Sequence, residues 1–211
     1  LQSQKEVDNH AEQDAVPGDI RFRDLNNDGI ISSLDRTIIG KPLPDYTYGI
    51  NLELTYRGFD FALFLNGMQN LDVYNEHYSY IGLATDRESK DFNKLRSVMD
   101  YWTPENNTNT QTRLSVKDVN YNARHSTWFV EDASFLRIHS IQLGYTIPSN
   151  LINKWGVENI RVYLNAQNLH VFTDYRGYDP EVGSSNVLSM GIDQGQYPIP
   201  RSFIFGIQLG L

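Results

Sequence analysis

The stretch YGINLELTYRGFDFALFL, residues 48–65, decides the fold class. Tyr48, Ile50, Leu52, Leu54 and Tyr56 alternate with Gly49, Asn51, Glu53 and Thr55. After Arg57-Gly58 the alternation resumes with Phe59, Phe61, Leu63 and Leu65 set against Asp60, Ala62 and Phe64. Period-two alternation of this length predicts two paired strands with one apolar face. With Arg57-Gly58 as a two-residue turn, Tyr56 faces Phe59, Leu54 faces Phe61, Leu52 faces Leu63 and Ile50 faces Leu65. Every pair on that face is then apolar, and a slip of one residue would undo the match. Each arm has about nine residues, the length a tilted strand needs to cross a bilayer core. A soluble sandwich usually has arms of about five or six.

Composition narrows the function classes. The chain has 211 residues, 21% of them charged, and a formal net charge of −8. No basic cluster of the nucleic-acid-binding kind is present, which argues against DNA or RNA as partner. The chain has no cysteine, so disulfides and thiolate metal sites are excluded. No run of 18 apolar residues occurs, which excludes a transmembrane helix but not a barrel, whose alternating strands average out as polar. The 13 Tyr, 10 Phe and 3 Trp are many for so hydrophilic a chain, and membrane-interface girdles use such residues. The opening Leu1-Gln2-Ser3-Gln4 lacks an initiator Met, a charged leader and an apolar stretch, and predicts a piece of a longer protein.

Beyond the hairpin, the sharpest motif is Asp24-Leu25-Asn26-Asn27-Asp28-Gly29-Ile30-Ile31-Ser32-Ser33-Leu34-Asp35. It fits a twelve-residue calcium loop. Asp24, Asn26 and Asp28 take positions 1, 3 and 5, Gly29 the sharp turn at 6, the Ile30 carbonyl position 7, and Asp35 position 12. Calcium needs six to eight hard oxygens converging on one point, and this spacing wraps them around one centre. The competing structure is an Asx-rich turn whose side chains cap their own backbone. Asp35 is shorter than the usual bidentate Glu, and no helix pair flanks the loop, so a signalling EF-hand is not implied.

Residues 1–16 read as loop or short helix. In the excursion after the hairpin, Thr85-Asp86-Arg87-Glu88 has the form of a capping box. Phe92, Leu95, Met99 and Trp102 follow at helical spacing until Pro104 ends the pattern. Three more alternating runs complete the strands, so that the expected set is about 48–56, 59–67, 134–147, 159–171 and 201–211. A helical turn through Leu151, Ile152 and Trp155 is expected in the compact connection at 148–158. Residues 1–47 then form a loop segment carrying the calcium-type motif, and residues 48–211 carry strands joined by long loops at 68–133 and 172–200. Short turns alternating with long loops are the layout of an outer-membrane barrel. Five strands cannot close one, and an open edge in lipid is not viable, so the rest of the wall must come from elsewhere.

A resemblance to a known family follows from further runs. Pro17-Gly18-Asp19-Ile20-Arg21-Phe22, the Asp24–Asp35 loop, Arg36-Thr37-Ile38-Ile39-Gly40 and Tyr46-Thr47-Tyr48-Gly49 resemble SusC/RagA-type TonB-dependent transporters of Bacteroidetes. Tyr101-Trp102-Thr103-Pro104-Glu105, Ser134-Phe135-Leu136-Arg137-Ile138, Leu143-Gly144-Tyr145, Tyr178-Asp179-Pro180-Glu181 and Pro200-Arg201-Ser202-Phe203 continue it in order. The resemblance implies an all-β fold: the C-terminal strands of a large plugged antiparallel transmembrane β-barrel with long extracellular loops. It implies import of glycans or peptides across the bacterial outer membrane. The implied partners are the remainder of the barrel and its plug, a SusD-like surface lipoprotein, TonB, and outer-membrane lipid. The chain ends on Leu211, where family members often end on an aromatic.

Two rivals come from other classes. His10, His77, His125, His139 and His170 show no H-E-x-x-H spacing and no G-x-S-x-G elbow occurs, so catalytic residues are not expected. A soluble, calcium-stabilised, lectin-like β-sandwich binding carbohydrate is the other alternative. The two β readings part on one point. In a barrel Ile50, Leu52, Leu54, Phe61, Leu63, Ile141, Leu143, Val162, Leu164, Phe205 and Ile207 face lipid, whereas in a sandwich they fill a protein core.

Overall fold

The computed structural model describes residues 1–12, 14–85, 93–152, 154, 156–183 and 186–210. In chain order its regular elements are α1 (Gln4–Asp8), β1 (Tyr46–Tyr56), β2 (Phe59–Gln69), β3 (Asp72–Asn75), α2 (Glu76–Ile81), β4 (Val130–Asp132), β5 (Phe135–Ile147), α3 (Ser149–Ile152), β6 (Asn159–Thr173), β7 (Ile192–Asp193) and β8 (Ser202–Gly210). None of the described helices is long and apolar enough to cross a membrane. Two compact units are interleaved along the chain. One takes residues 42–73, 131–191 and 196–211, the other residues 1–41, 74–130 and 192–195.

The first unit is built on an antiparallel five-stranded sheet in the order β1-β2-β5-β6-β8. The hairpin register is the one its apolar pattern requires: Tyr56 opposite Phe59, Leu54 opposite Phe61, Leu52 opposite Leu63 and Ile50 opposite Leu65. Arg57 and Gly58 both adopt positive φ, 47° and 87°. That pair of left-handed residues makes a primed turn, whose twist suits two right-twisting strands. Gly58 is required for space as well, since a Cβ there would stand 2.9 Å from the Thr146 carbonyl oxygen. β5 and β6 run on as long strands, with one disturbance. The register shifts between Ile138 and Ser140, leaving His139 extra on β5, while Asn168 on β6 turns left-handed at φ 52°. Such bulges bend and twist a sheet locally. β1 and β8 each pair on one side only, so two strand edges carry unpaired backbone groups among the described residues.

The buried apolar residues of this unit lie at or beyond the ends of the sheet rather than on its face, with Ile152 of α3 alone at the hairpin-turn end among the described residues. Leu71, Val73, Ala133 and Tyr175 form a small cluster, with Met68 and Val182 against it.

The second unit holds its own cluster of Tyr78, Leu83, Ala123 and Phe129, flanked by Tyr74 and Trp128. It contains a short parallel pairing of β3 with β7, Tyr74 opposite Ile192 and Asn75 opposite Asp193. The helix expected over Phe92–Trp102 is instead a 3-10 turn over Arg96–Asp100 with only Val98 buried. Tyr101 leaves it in extended conformation and Trp102 bonds to the Thr112 carbonyl at 3.0 Å. A bridge to Arg113 and an approaching Pro104 both favour extended backbone there. The capping-box residues Asp86, Arg87 and Glu88, with Phe92, Trp155 and Leu211, lie outside the described residues.

Candidate functional site

The sheet of the first unit has two chemically different faces. On one, Ile50, Leu52, Leu54, Leu143, Leu164, Phe205 and Ile207 are all exposed. Leu143 belongs to the central strand and Leu164 to the next, yet they are 51% and 59% exposed. No second sheet covers this face among the described residues. Aromatic rings mark its two ends. Near the hairpin turn stand Tyr56 and the Phe59–Tyr145 pair, with ring centroids 4.5 Å apart. At the other end stand Tyr46 and Tyr48, 6.3 Å apart, and the His170–Phe172 pair, 4.5 Å apart. Tyr48 and Tyr56 both lie on β1, eight residues apart, or about 27 Å at 3.4 Å per residue. A tilt of about 40° reduces this to about 21 Å, near the height of the apolar band on outer-membrane barrels.

The opposite face is polar, and one clasp ties three strands together. Arg161 on β6 reaches over β5 to Asp60 on β2, Nε donating to Oδ1 at 2.9 Å and Nη2 to Oδ2. Arg161 Nη1 donates to Gln208 Oε1 on β8 at 3.0 Å, and its guanidinium lies 5.1 Å from the Tyr163 ring. The reach is possible because β5 presents Gly144 at the crossing. A Cβ at Gly144 would fall on the Asp60 carboxylate and the Arg161 guanidinium.

A second arginine fixes a loop. Arg137 on β5 is 1% exposed, and its Nη2 lies 2.7 Å from Asp179 and 3.3 Å from Glu181. Asp179 also accepts from the backbone N–H groups of Glu181 and Ile199, which ties both ends of the 174–200 segment to one strand.

In the second unit, the Asp24–Asp35 loop folds as a nest of Asx turns. Asp24 accepts from Asn27 N and Gly29 N at 2.7 and 2.8 Å, Asn26 from Asp28 N, and Asp28 from Ile30 N. Asp35 closes it, accepting from Ser32 N at 2.7 Å and Leu25 N at 2.8 Å. Those backbone bonds, Ser32's first, hold the Asp35 carboxyl below the usual carboxylate range, and the Asp24 side chain also comes within hydrogen-bond reach of it. The structure thus brings Asp24 and Asp35 together and curls Asn26, Asp28 and Ile30 beside them. Among the described residues no group of three or more His, Asp or Glu side chains is gathered closely enough to hold a metal.

Comparison with known proteins decides the family. The chain is 35% identical over 217 residues to TonB-dependent receptor P26 of Formosa agariphila, with 98% of this chain and 21% of the relative covered. Against TonB-dependent receptor SusC of Bacteroides thetaiotaomicron it is 29% identical, covering 94% of this chain and 18% of the relative. The solved structure of the RagAB peptide transporter superposes over 92% of this chain and 20% of the other, with TM-score 0.71 and 26% identity. Nearly the whole chain is homologous to a segment of SusC/RagA-type TonB-dependent receptors. It spans about a fifth of the length of the curated relatives it matches. No protein-family profile matches it. For this receptor segment the sheet is the relevant surface: all-β, mostly antiparallel, resembling part of a receptor barrel and not closed by the described strands.

Sequence reasoning missed the Asp60–Arg161 clasp and the Arg137 anchor. Glycine opposite an aspartate, one strand from an arginine, is the pattern that could have revealed the clasp, and it becomes visible only once the register is known.

Proposed function

We propose that this chain forms part of the wall of an outer-membrane importer that takes up glycans or peptides, energised by TonB and working with a SusD-like lipoprotein. One observation carries the reading: an exposed apolar belt between two aromatic rows, on a sheet with both edges unpaired. Burial on the scale of a sandwich core would remove those leucines from water, and the only other low-cost surrounding for them is hydrocarbon. The polar face, with Asp60, Arg161, Gln142 and Asn165, then lines the lumen, and the segments 68–133 and 172–200 lie outside the cell. The relatives' names support receptor function rather than catalysis, and the RagAB structures concern a peptide importer. This segment has no cysteine of its own, so each introduced cysteine is its single thiol, and the receptor without the substitution supplies the background. In the complete receptor, Leu164→Cys should be shielded from a membrane-impermeant maleimide in intact outer membranes, whereas Asn165→Cys should react. Equal labelling of both would refute the belt.

The Asp24–Asp35 loop is proposed to hold one calcium ion through Asp24, Asn26, Asp28, the Ile30 carbonyl and Asp35. Two carboxylates held within reach of each other repel, and a divalent cation relieves that. Each carboxylate oxygen also keeps a second lone pair beyond its N–H bond. The ion would brace the loop rather than signal. Calcium titration of the complete receptor should protect peptides from this loop against hydrogen exchange, and Asp24→Ala should abolish the protection. Protection unchanged by millimolar calcium would remove calcium from the account.

A further inference from the structure

The second unit contains an open cleft of about 1600 Å³ lined by four arginines and four carboxylates. All four carboxylates are engaged. Glu12 pairs with Arg124 at 2.9 Å and Asp19 with Arg113 at 2.8 Å. Both Asp35 oxygens accept backbone N–H groups, and Glu6 accepts from Gln2 N at 2.7 Å. Three lining arginines, Arg21, Arg23 and Arg36, are exposed, and no hydrogen bond or ion pair engages their guanidinium groups among the described residues. Three guanidinium groups with no partner of their own among the described residues therefore line a concave space.

Aromatic faces accompany it. Arg124 lies 4.1 Å from the Phe22 ring centroid and 5.5 Å from that of Tyr121. Tyr121 is 63% exposed and holds φ at 53°, a conformation unfavourable for so bulky a residue. The turn that forces it is over-determined, because Asp118 accepts from Asn122 N at 2.7 Å and Ala123 N at 2.9 Å. Strain held in place by such a frame, around an exposed ring, is found at ligand-binding positions. Trp128 and Trp102 add half-buried indoles to the same lining.

We propose that this cleft binds an acidic oligosaccharide, its carboxylates on Arg21, Arg23 and Arg36 and a sugar ring packed on Tyr121. Guanidinium forks match carboxylates in bidentate geometry. The C–H face of a pyranose suits an aromatic ring, while its hydroxyls stay in water. The volume exceeds the upper end, about 1,000 Å³, usual for sites that take one small molecule, so an oligomer fits better than a monosaccharide. A peptide held by strand addition would need a strand edge in the cleft, and β3 and β7, the strands paired in this unit, do not line it. The proposal rests on the importer reading, of which it names the substrate class.

The test uses the complete receptor purified in detergent, with oligogalacturonate, maltoheptaose and a polyglutamate peptide as probes, followed by calorimetry. Oligogalacturonate is expected to bind, to weaken as salt is raised, and to resist competition by maltoheptaose. Replacing Arg21, Arg23 and Arg36 by Gln, singly and together, should lower affinity by about tenfold for each guanidinium removed. Lys at the same positions should restore part of the loss, and Arg57→Gln, at the hairpin turn, should change nothing. No oligogalacturonate binding, binding indifferent to the three substitutions, or stronger binding of polyglutamate would each overturn the proposal. Failure with the receptor still in the outer membrane leaves the importer reading standing, whereas a receptor absent from the outer membrane defeats that reading itself.

Discussion

Arg137 shows how a single residue can decide the placement of a long segment. It is the largest of the side chains with almost no exposure, and a charged group there is tolerable only because Asp179 and Glu181 meet it. A buried pair contributes modest net stability, but removing one partner strands the other charge. Arg137→Ala should therefore cost about 3–5 kcal/mol, since Asp179 is left with its carboxylate only 12% exposed. The loss should fall on the 174–200 segment, read as new protease cuts there and a lower melting temperature of the solubilised receptor. Arg137→Lys should rescue only in part, because an ammonium group cannot serve two carboxylates with the fixed fork of a guanidinium. Unchanged proteolysis in Arg137→Ala would show that other contacts fix the segment.

Elements carry a different lesson, because the faces of a strand are all-or-none. Leu52 and Glu53 are neighbours in β1, but they point to opposite faces of the sheet. Leu52→Arg should cost about 2–4 kcal/mol if Leu52 sits near the bilayer midplane, while Glu53→Arg stays in a polar environment and should cost far less. Heat-modifiable mobility of the assembled receptor reads the difference, and equal tolerance of the two would contradict the assignment of faces. The hairpin was legible in the sequence for the same reason: period two leaves only one register in which all four apolar pairs meet. The turn was legible too, Arg57-Gly58 being the only interruption. What was not legible lies where local pattern has no voice. β3 and β7 are four and two residues long, too short for any period. At the His139 bulge the apolar phase passes from Leu136 and Ile138 to Ile141, Leu143 and Tyr145, a break too brief to mark a bulge by itself. The Asp60–Arg161 clasp joins residues 101 positions apart over an intervening strand, and Gly144 gives no sign of what passes above it. The Asx bonding of the Asp24–Asp35 loop was foreseen as the rival to calcium, and both use the same oxygens, which is why sequence could not separate them. Nor did the sequence show that the first 41 residues and residues 74–130 fold as one unit.

For the whole molecule the deciding magnitude is the energy of unpaired edges and uncovered apolar surface. β1 and β8 each leave a row of backbone N–H and C=O groups without strand partners in the sheet, and each such group costs several kcal/mol in hydrocarbon. In water the edges are tolerated, but the belt from Ile50 to Phe205 is not, and long flat apolar edges seed association. Neither solvent suits the 211 residues by themselves. The complement that suits both is more strand, pairing with β1 on one side and with β8 on the other. The chain produced alone should accordingly aggregate without detergent, and in detergent it should lack the cooperative melting of an intact barrel. Supplied together with the remainder of the receptor, it should assemble and gain heat-modifiable mobility. Sedimentation of the isolated chain decides between the two β readings: a folded, detergent-free monomer would defeat the barrel and restore the lectin-like sandwich, because only a covered apolar face could keep it in solution.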